Sequence, residues 1–413
     1  MHQSFLSKLF TARWDAIARG FYEYNILRHF RTLPPRQLQI NVTYRCNARC
    51  TMCNIWQMGE RVEMSLEDFS HVLDDSIFHG IERLTLAGGE PSLRRDLLPL
   101  TELLVKRMPR LGSLTLITNG LAAERVLADS RAMLGLCAER GIHFNVSVSL
   151  DGVGQVHDEM RNVPGAFARV ERCLMGLKEL QTEHPFWLGA GCVITRRNLH
   201  HLRELQAWCD GRDIELGFQL VGFHETYVAN IERRGELDFE HADWEYLFGF
   251  LHELAADRSP SNFMSYYWYD MLKMYRDGRP RHTPCPFALD SFVLDAYGDV
   301  YYCLSERKIG NCLQGTRYKV QDTRCKIQDA RYKMQDARYE TKGESSEQPI
   351  SCILYPVSHT LNPVSAIYYN PDNLAFRTEL THSACLRCNS GCFVNVGIKK
   401  DLKKYLWFLA TGR

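Results

Sequence analysis

Between residues 37 and 222, short runs in which apolar and polar side chains alternate are separated by longer stretches whose apolar residues recur at helical spacing. The two periods predict strands and helices taking turns. Strands are expected near 38–43, 82–87, 113–118, 143–149, 187–194 and 214–221, with helices near 65–78, 95–108, 122–139, 166–181 and 198–210. This order is that of a parallel sheet with crossover helices, and six such units are too few for an eightfold barrel. The fourth strand alternates Asn145, Ser147 and Ser149 against Val146, Val148 and Leu150. A barrel interior is ordinarily filled by branched apolar residues, so a polar row predicts a face lining a cavity.

Outside this region the periodicity changes. Phe5, Leu6, Leu9, Phe10, Trp14, Ile17 and Phe21 predict an amphipathic helix over 3–31 that packs as a lid and stops before Pro34-Pro35. Stretches 240–257 and 261–276 read as two helices whose aromatic residues, including Trp244, Tyr246, Tyr266, Tyr267, Trp268 and Tyr269, form interdomain core. Ser291 to Ala296 and Val300 to Ser305 alternate around Tyr297-Gly298-Asp299, a β-hairpin with a glycine turn. The tail mixes four lysines with Leu402, Tyr405, Leu406, Trp407 and Phe408 between 399 and 408. It reads as a terminal helix docked on the protein in preference to one touching a membrane surface.

Composition narrows the function classes. Charged residues make up 24% of the 413 and the formal net charge is +1, which gives no footprint for a nucleic-acid partner. The N-terminus is interrupted by Lys8, Arg13, Asp15 and Arg19, so no secretory segment is expected, nor any membrane span. A cytoplasmic location follows, and in a reducing compartment 15 cysteines point to metal ligation over disulfides.

The cysteines are not scattered evenly. Cys46, Cys50 and Cys53 form C-x3-C-x2-C directly after the first strand. Soft thiolates select zinc, Cu(I) or iron–sulfur clusters, and a cubane with only three cysteines keeps one iron open. A zinc loop with a distant fourth ligand is the alternative. Gly88-Gly89-Glu90-Pro91 follows the second strand, Thr118-Asn119-Gly120 the third and Ser149-Leu150-Asp151-Gly152 the fourth. These are the strand-end loops on which barrel enzymes place chemistry.

The triad together with Gly88-Gly89-Glu90-Pro91 resembles the signature of the radical S-adenosylmethionine (SAM) enzymes. The resemblance implies an α/β fold, a partial (β/α)6 TIM-like barrel followed by a small α+β cysteine-rich domain. It implies a [4Fe-4S] cluster on Cys46, Cys50 and Cys53, whose open iron is chelated by SAM. Reductive cleavage of SAM then yields a 5′-deoxyadenosyl radical that abstracts hydrogen from a substrate, with an electron donor such as flavodoxin or ferredoxin. By the same resemblance Gly88, Gly89, Glu90, Pro91, Asn119, Ser149 and Arg161 bind SAM, Arg161 by pairing a carboxylate of SAM or substrate. His157-Asp158-Glu159-Met160-Arg161-Asn162 is similar to a family stretch with glycine where Asn162 stands, and Met52 stands where the family often has an aromatic residue.

A second constellation, Cys285, Cys303, Cys385 and Cys388 with Cys392 as a possible substitute, follows C-x12-G-x4-C and then C-x2-C. It resembles the SPASM/twitch extension that holds auxiliary [4Fe-4S] clusters, in its one-cluster form; the same thiols could instead hold zinc. Cys312 is expected to ligate nothing, and the lone Cys137, Cys173, Cys192 and Cys209 read as small core residues. Between the halves of this constellation, Arg317 to Thr323 recurs as Arg324 to Ala330 and Arg331 to Ala337. Codons for Ala-Arg-Tyr-Lys-Met-Gln-Asp read on the opposite strand can give Ile-Leu-His-Leu-Val-Ser-Cys, close to the repeated stretch from Cys352 to Ser365. Residues 317–365 therefore read as a translated inverted-repeat insertion, tolerated because a longer loop adds little closure entropy, with Cys325 and Cys352 carrying no chemistry.

The expected organisation is an N-terminal helical segment (1–36), the barrel (37–222), a helical linker (223–283), a twitch-like domain (284–316 and 366–398) interrupted by the insertion (317–365), and a basic tail (399–413). The substrate is a peptide or a small molecule. The alternative is a non-catalytic iron–sulfur or zinc protein, against which the intact triad and Gly88 to Pro91 argue.

Overall fold

The structure is a computed structural model that describes residues 14–58, 61–257, 259, 262–313, 363–389, 397–399 and 402–411. Six parallel strands, β1 (Gln37–Thr43), β2 (Arg83–Gly88), β3 (Ser113–Thr118), β4 (His143–Ser149), β5 (Trp187–Ile194) and β6 (Glu215–Leu220), lie in sequence order. The period-two pattern predicted each to within a residue. Leu38, Ile40, Val42, Leu84, Leu86, Val146, Val148, Cys192 and Ile194 are fully or almost fully buried in one core that includes the helices' apolar residues. The opposite face carries Gln39, Ala87, Ser149, Gly191 and Gln219, all of which line a cavity.

The helices differ from expectation in three places. The stretch 65–78 is a short helix, Leu66–Val72, followed by a separate 3-10 turn at Ser76–Gly80. Asp75 caps that turn through Ile77 N and so starts a new element. After α1 (Trp14–Asn25), α2 (Leu66–Val72), α3 (Leu97–Arg107) and α4 (Ala123–Arg140), a helix that periodicity did not signal, α5 (Gln155–Arg161), precedes the predicted fourth helix, Ala166–Glu183. It ends at Asn162, with φ 50° and ψ 46°. That left-handed conformation explains why glycine is usual there, and asparagine is among the few other residues that adopt it readily. The N-terminal helix is described from Trp14 and ends at Asn25, short of the expected 31, because Leu27–His29 form a separate 3-10 turn; Arg19 and Glu23 from it meet Glu82 and Arg36 at the N-terminal edge of the sheet. The expected helical residues before Trp14 lie outside the described residues.

The hairpin after Cys285 does not form a sheet of its own. Its first strand, β7 (Ser291–Asp295), pairs in parallel with β1 from Gln37↔Ser291 to Asn41↔Asp295. β8 (Asp299–Tyr301) and β9 (Gly310–Asn311) continue antiparallel, giving, among the described residues, one nine-stranded sheet. Gly298 at the turn has φ 79°. β8 ends at Tyr301, so Cys303 sits just beyond the strand on which it was expected. The helices His241–Ala256 and Phe263–Asp277 pack on one another. The terminal helix Leu402–Thr411 lays Tyr405 and Phe408 against Phe263, Tyr266 and Tyr269, the docked arrangement. Val364 and Ser365, at the end of the expected insertion, lie in a packed helix, Val364–Tyr368. There Val364 is buried and Ser365 N donates to Asp75.

Candidate active site

The loop after β1 carries the triad. It is held from several directions by backbone and side-chain hydrogen bonds. Arg49 N and Thr51 N donate to the carbonyls of Arg161 and Met160 at the end of α5, at 3.1 and 2.9 Å. Arg233 donates to Thr51 O (2.7 Å), Asn230 to Met52 O (2.8 Å), and Asn54 N to Val228 O (2.8 Å). Sequence reasoning did not single out Val228, Asn230 or Arg233, which come from the segment after β6, far along the chain.

Glycines 88 and 89 explain themselves by close approach. A Cβ on Gly88 would stand 2.3 Å from Thr43 O, and one on Gly89 would stand 2.3 Å from Arg45 O. The glycine pair lets the β2 loop lie against the backbone that leads into Cys46, and both glycines edge the cavity. Glu90 lies behind that wall, fully buried. Its carboxylate accepts from Thr118 Oγ1 (2.8 Å), Ser92 N (3.1 Å) and Asn119 N (2.7 Å). Burial raises its pKa while these hydrogen bonds oppose the shift. Pro91, also buried, opens the 3-10 turn that follows. Glu90 thus ties the β2 loop to the β3 loop.

Asn119 reaches the triad loop directly, donating to Asn47 Oδ1 at 2.7 Å with Cys46 Sγ at 3.8 Å. Ala48 N is 3.5 Å from the same sulfur. The carboxylate that Arg161 meets is the chain's own: Asp151 pairs with it at 2.7 Å. A second guanidinium nitrogen of Arg161 donates to Cys50 Sγ at 3.6 Å. Asp151 in turn accepts from Val193 N (2.9 Å), and its own amide donates to His157 Nδ1 (3.1 Å). Burial, with Arg161 adding, lowers the His157 pKa to about 2, so the ring is neutral. Burial pushes the Cys46 thiol up to about 11 and Cys53 to about 12. Metal binding there must displace protons.

Cys46, Cys50, Cys53, Gly88, Gly89, Asn119, Ser149 and Arg161 line one cavity of about 350 Å³ at the C-terminal ends of the strands. Gln219, read from sequence as facing the cavity at the end of the sixth strand, lines it too, as do Gln39, Trp56, His224, Tyr227 and Ser305, which were not singled out from sequence. His224 offered a signal, because it follows the end of β6 where barrel loops carry chemistry. Among the described residues, no three His, Cys, Asp or Glu side chains converge as on a single metal ion. A cubane places each cysteine on a different iron, and the soft three-thiol donor set beside a glycine-edged cavity fits such a group.

The second constellation is assembled across the chain. Cys303 and Cys385 are each close enough to Cys285 and Cys388 for their charges to interact, and burial is the main cause that raises both thiols, Cys385 to about 12. Arg281 supports the arrangement: its amide donates to Leu386 O (2.9 Å) and its guanidinium to Cys388 O (3.2 Å). Asp270 accepts from His282 N and Thr283 N, fixing the approach to Cys285. Asn389 donates to Val221 O at the end of the barrel (3.0 Å). Cys303 also lines the large cavity. Cys312 is buried against the Gly298 turn. Cys392, Cys325 and Cys352 lie outside the described residues, and the twelve described cysteines are free thiols.

Comparison with known proteins covers the same elements. Residues 40–209 match the Radical SAM superfamily domain. Over 191 residues the chain is 29% identical to the Fe-coproporphyrin III synthase of Methanosarcina barkeri, an alignment covering 46% of this chain and 44% of that protein. It is 30% identical over 206 residues to the pre-heme d1 synthase of Dinoroseobacter shibae, covering 49% of this chain and 46% of the other. The chain thus spans less than half the length of these two relatives. In fold it is similar to Streptococcus suis SuiB bound to S-adenosylmethionine, with TM-score 0.52 at 15% identity over 92% of this chain and 77% of that one.

Proposed function

With residues 40–209 a radical SAM domain, we propose that the chain is a radical SAM enzyme acting on a peptide or small-molecule substrate. The observation that carries this reading is the meeting of the three triad thiols with Gly88, Gly89, Asn119 and Ser149 on one cavity wall. When bound, the cluster supplies the electron for reductive cleavage of SAM to a 5′-deoxyadenosyl radical, which takes hydrogen from the substrate.

The chain's residues divide the remaining work. Cys46, Cys50 and Cys53 would hold the cluster. Gly88, Gly89, Asn119 and Ser149 would border SAM, with Arg161 beside both groups. Glu90 acts through Asn119, whose amide it fixes, and Pro91 through the turn it starts. Cys285, Cys303, Cys385 and Cys388 would hold an auxiliary cluster, and the position of Cys303 on the cavity wall supports a role close to the substrate. A small electron carrier such as flavodoxin or ferredoxin would supply the reducing equivalent. Among the described residues, no helix is long and apolar enough to cross a membrane, and the free thiols are consistent with a reducing, cytoplasmic setting.

The cavity wall also bears on substrate class. Its described lining includes no acidic side chain, and its guanidinium, Arg161, is already paired with Asp151. The hydrogen-bonding groups are neutral: Gln39, Ser149, Gln219, Ser305 and Trp56, whose buried indole N–H has no partner. Such a wall suits an uncharged polar group, such as a peptide amide, better than a polyanion, which needs unpaired cations.

The test is anaerobic. Reconstituted protein with dithionite and SAM is expected to release 5′-deoxyadenosine, and Cys50→Ala protein is not. Equal release from both would end the enzyme reading.

A further inference from the structure

Of the described charged groups near the triad, Arg161 is aimed at a sulfur. Arg161 donates from Nη1 to Cys50 Sγ at 3.6 Å, and its Nη2 forms an ion pair with Asp151 Oδ2 at 2.7 Å. Both side chains are sequestered, Arg161 at 9% exposure and Asp151 at 0%. The anchor is itself anchored: Asp151 Oδ1 accepts from Val193 N on β5, its carbonyl accepts from Asn198, and its amide is capped by the neutral His157 ring. A guanidinium fixed in this way has little freedom to swing onto a diffusing ligand. The other two triad sulfurs have neutral donors, Asn119 and Ala48 N at Cys46 and the Ile55 amide at Cys53.

We propose that Asp151 and Arg161 form a potential-setting pair for the cluster held by Cys46, Cys50 and Cys53, with Arg161 as the positioned donor to Cys50 and Asp151 as the group that holds it and offsets its charge. The inference rests on the cluster assignment above. Reduction adds one electron to the cluster and so one negative charge to its surroundings. A cation and a hydrogen bond at a ligand sulfur stabilise that reduced state and raise the potential, as net charge and sulfur hydrogen bonds do generally for such clusters. Asp151 has the opposite sign and moderates the effect. The two residues therefore pull the potential in opposite directions, although each would be equally needed if the pair were only a structural tie.

The experiment is an EPR-monitored redox titration of anaerobically reconstituted full-length protein. The triad cluster is identified by the spectral change that added SAM induces, since SAM reaches only an open iron. Arg161→Met is expected to lower the midpoint potential by about 59 mV or more, the equivalent of a tenfold change in the reduced-to-oxidised ratio for one electron. Arg161→Lys should fall between it and the wild type. Asp151→Asn, nearly isosteric, should raise the potential and carries the test alone if Arg161→Met does not fold. Shifts of opposite sign at unchanged iron content support the pair. Potentials equal to the wild type, or both variants shifting the same way, overturn it. So does an Arg161→Met protein whose SAM affinity collapses while its potential stays put, because the arginine would then be a SAM ligand. Absence of any SAM-sensitive cluster signal in the wild type would instead defeat the functional reading on which the inference rests.

Discussion

The two thiol sites are built by opposite strategies. The triad spans Cys46 to Cys53 on one strand-end loop, and its neighbours are brought to it by β2, β3, α5 and the segment after β6. The second set joins Cys285 and Cys303 to Cys385 and Cys388 from the far side of residues 314–362. The first motif carries its ligand geometry in local sequence and draws on the fold only for support. The second has no geometry until the helix Phe263–Asp277, Arg281 and the barrel end at Val221 hold its parts together. A site of the first kind is expected to survive damage to the second, and the converse tests whether the two are independent.

The sharpest way to break this contrast is a triple variant, Cys46→Ala/Cys50→Ala/Cys53→Ala. It should release no 5′-deoxyadenosine above background, as read by chromatography, while keeping the iron of the auxiliary site. Next in size, Cys385→Ala/Cys388→Ala should lose one cluster's worth of iron and sulfide on chemical analysis yet still cleave SAM with dithionite. Loss of cleavage there would mean the sites are not separable.

Gly89→Ala probes the support of the triad. Its new methyl would meet two backbone carbonyls, Arg45 O at 2.3 Å and Tyr44 O at 2.8 Å, neither of which can rotate away. A loss of about 1–3 kcal/mol is expected, visible as a lower thermal midpoint together with weaker SAM binding. The smallest effect concerns the joint between the sites. Asp295 on β7 accepts from Tyr44 Oη, next to the triad loop, at 2.9 Å. Burial, with Asp299 adding, raises its pKa to about 6. With the folded value above the unfolded one, this carboxyl favours folding most at pH below about 4 and loses that contribution as pH rises through about 6. Asp295→Asn should therefore remove roughly 1–2 kcal/mol of the stability lost between pH 4 and 7, measured by urea melts at both pH values.

Much of the barrel was legible because its signal is local. Period two fixes a strand's faces, and a strand such as His143–Ser149 carries Asn145, Ser147 and Ser149 on one side whatever lies elsewhere. The triad and the glycine pair were readable for the same reason. Other features depend on distance in the chain. Asn230 reaches Met52 O and Arg233 reaches Thr51 O across about 180 residues, and nothing at either end announces the partner. The burial of Glu90 was equally hidden, because a carboxylate facing Thr118 and Asn119 reads in sequence like one facing a ligand. α5, at seven residues, is too short for helical periodicity to register.

The pairing of β7 with β1 also governs how far this protein can be cut down. β1 is buried at every residue from Gln37 to Thr43, and its neighbour on one side is supplied by residues 291–295. A chain shortened to end near residue 283 would keep the triad and every residue proposed to border SAM. It would also uncover a full row of unpaired amides and carbonyls along a strand that is otherwise buried at every residue, the kind of edge that seeds sheet-to-sheet aggregation. The part carrying the proposed cluster and SAM residues would therefore lack solubility on its own, and expression of the isolated barrel should yield insoluble protein unless that edge is capped.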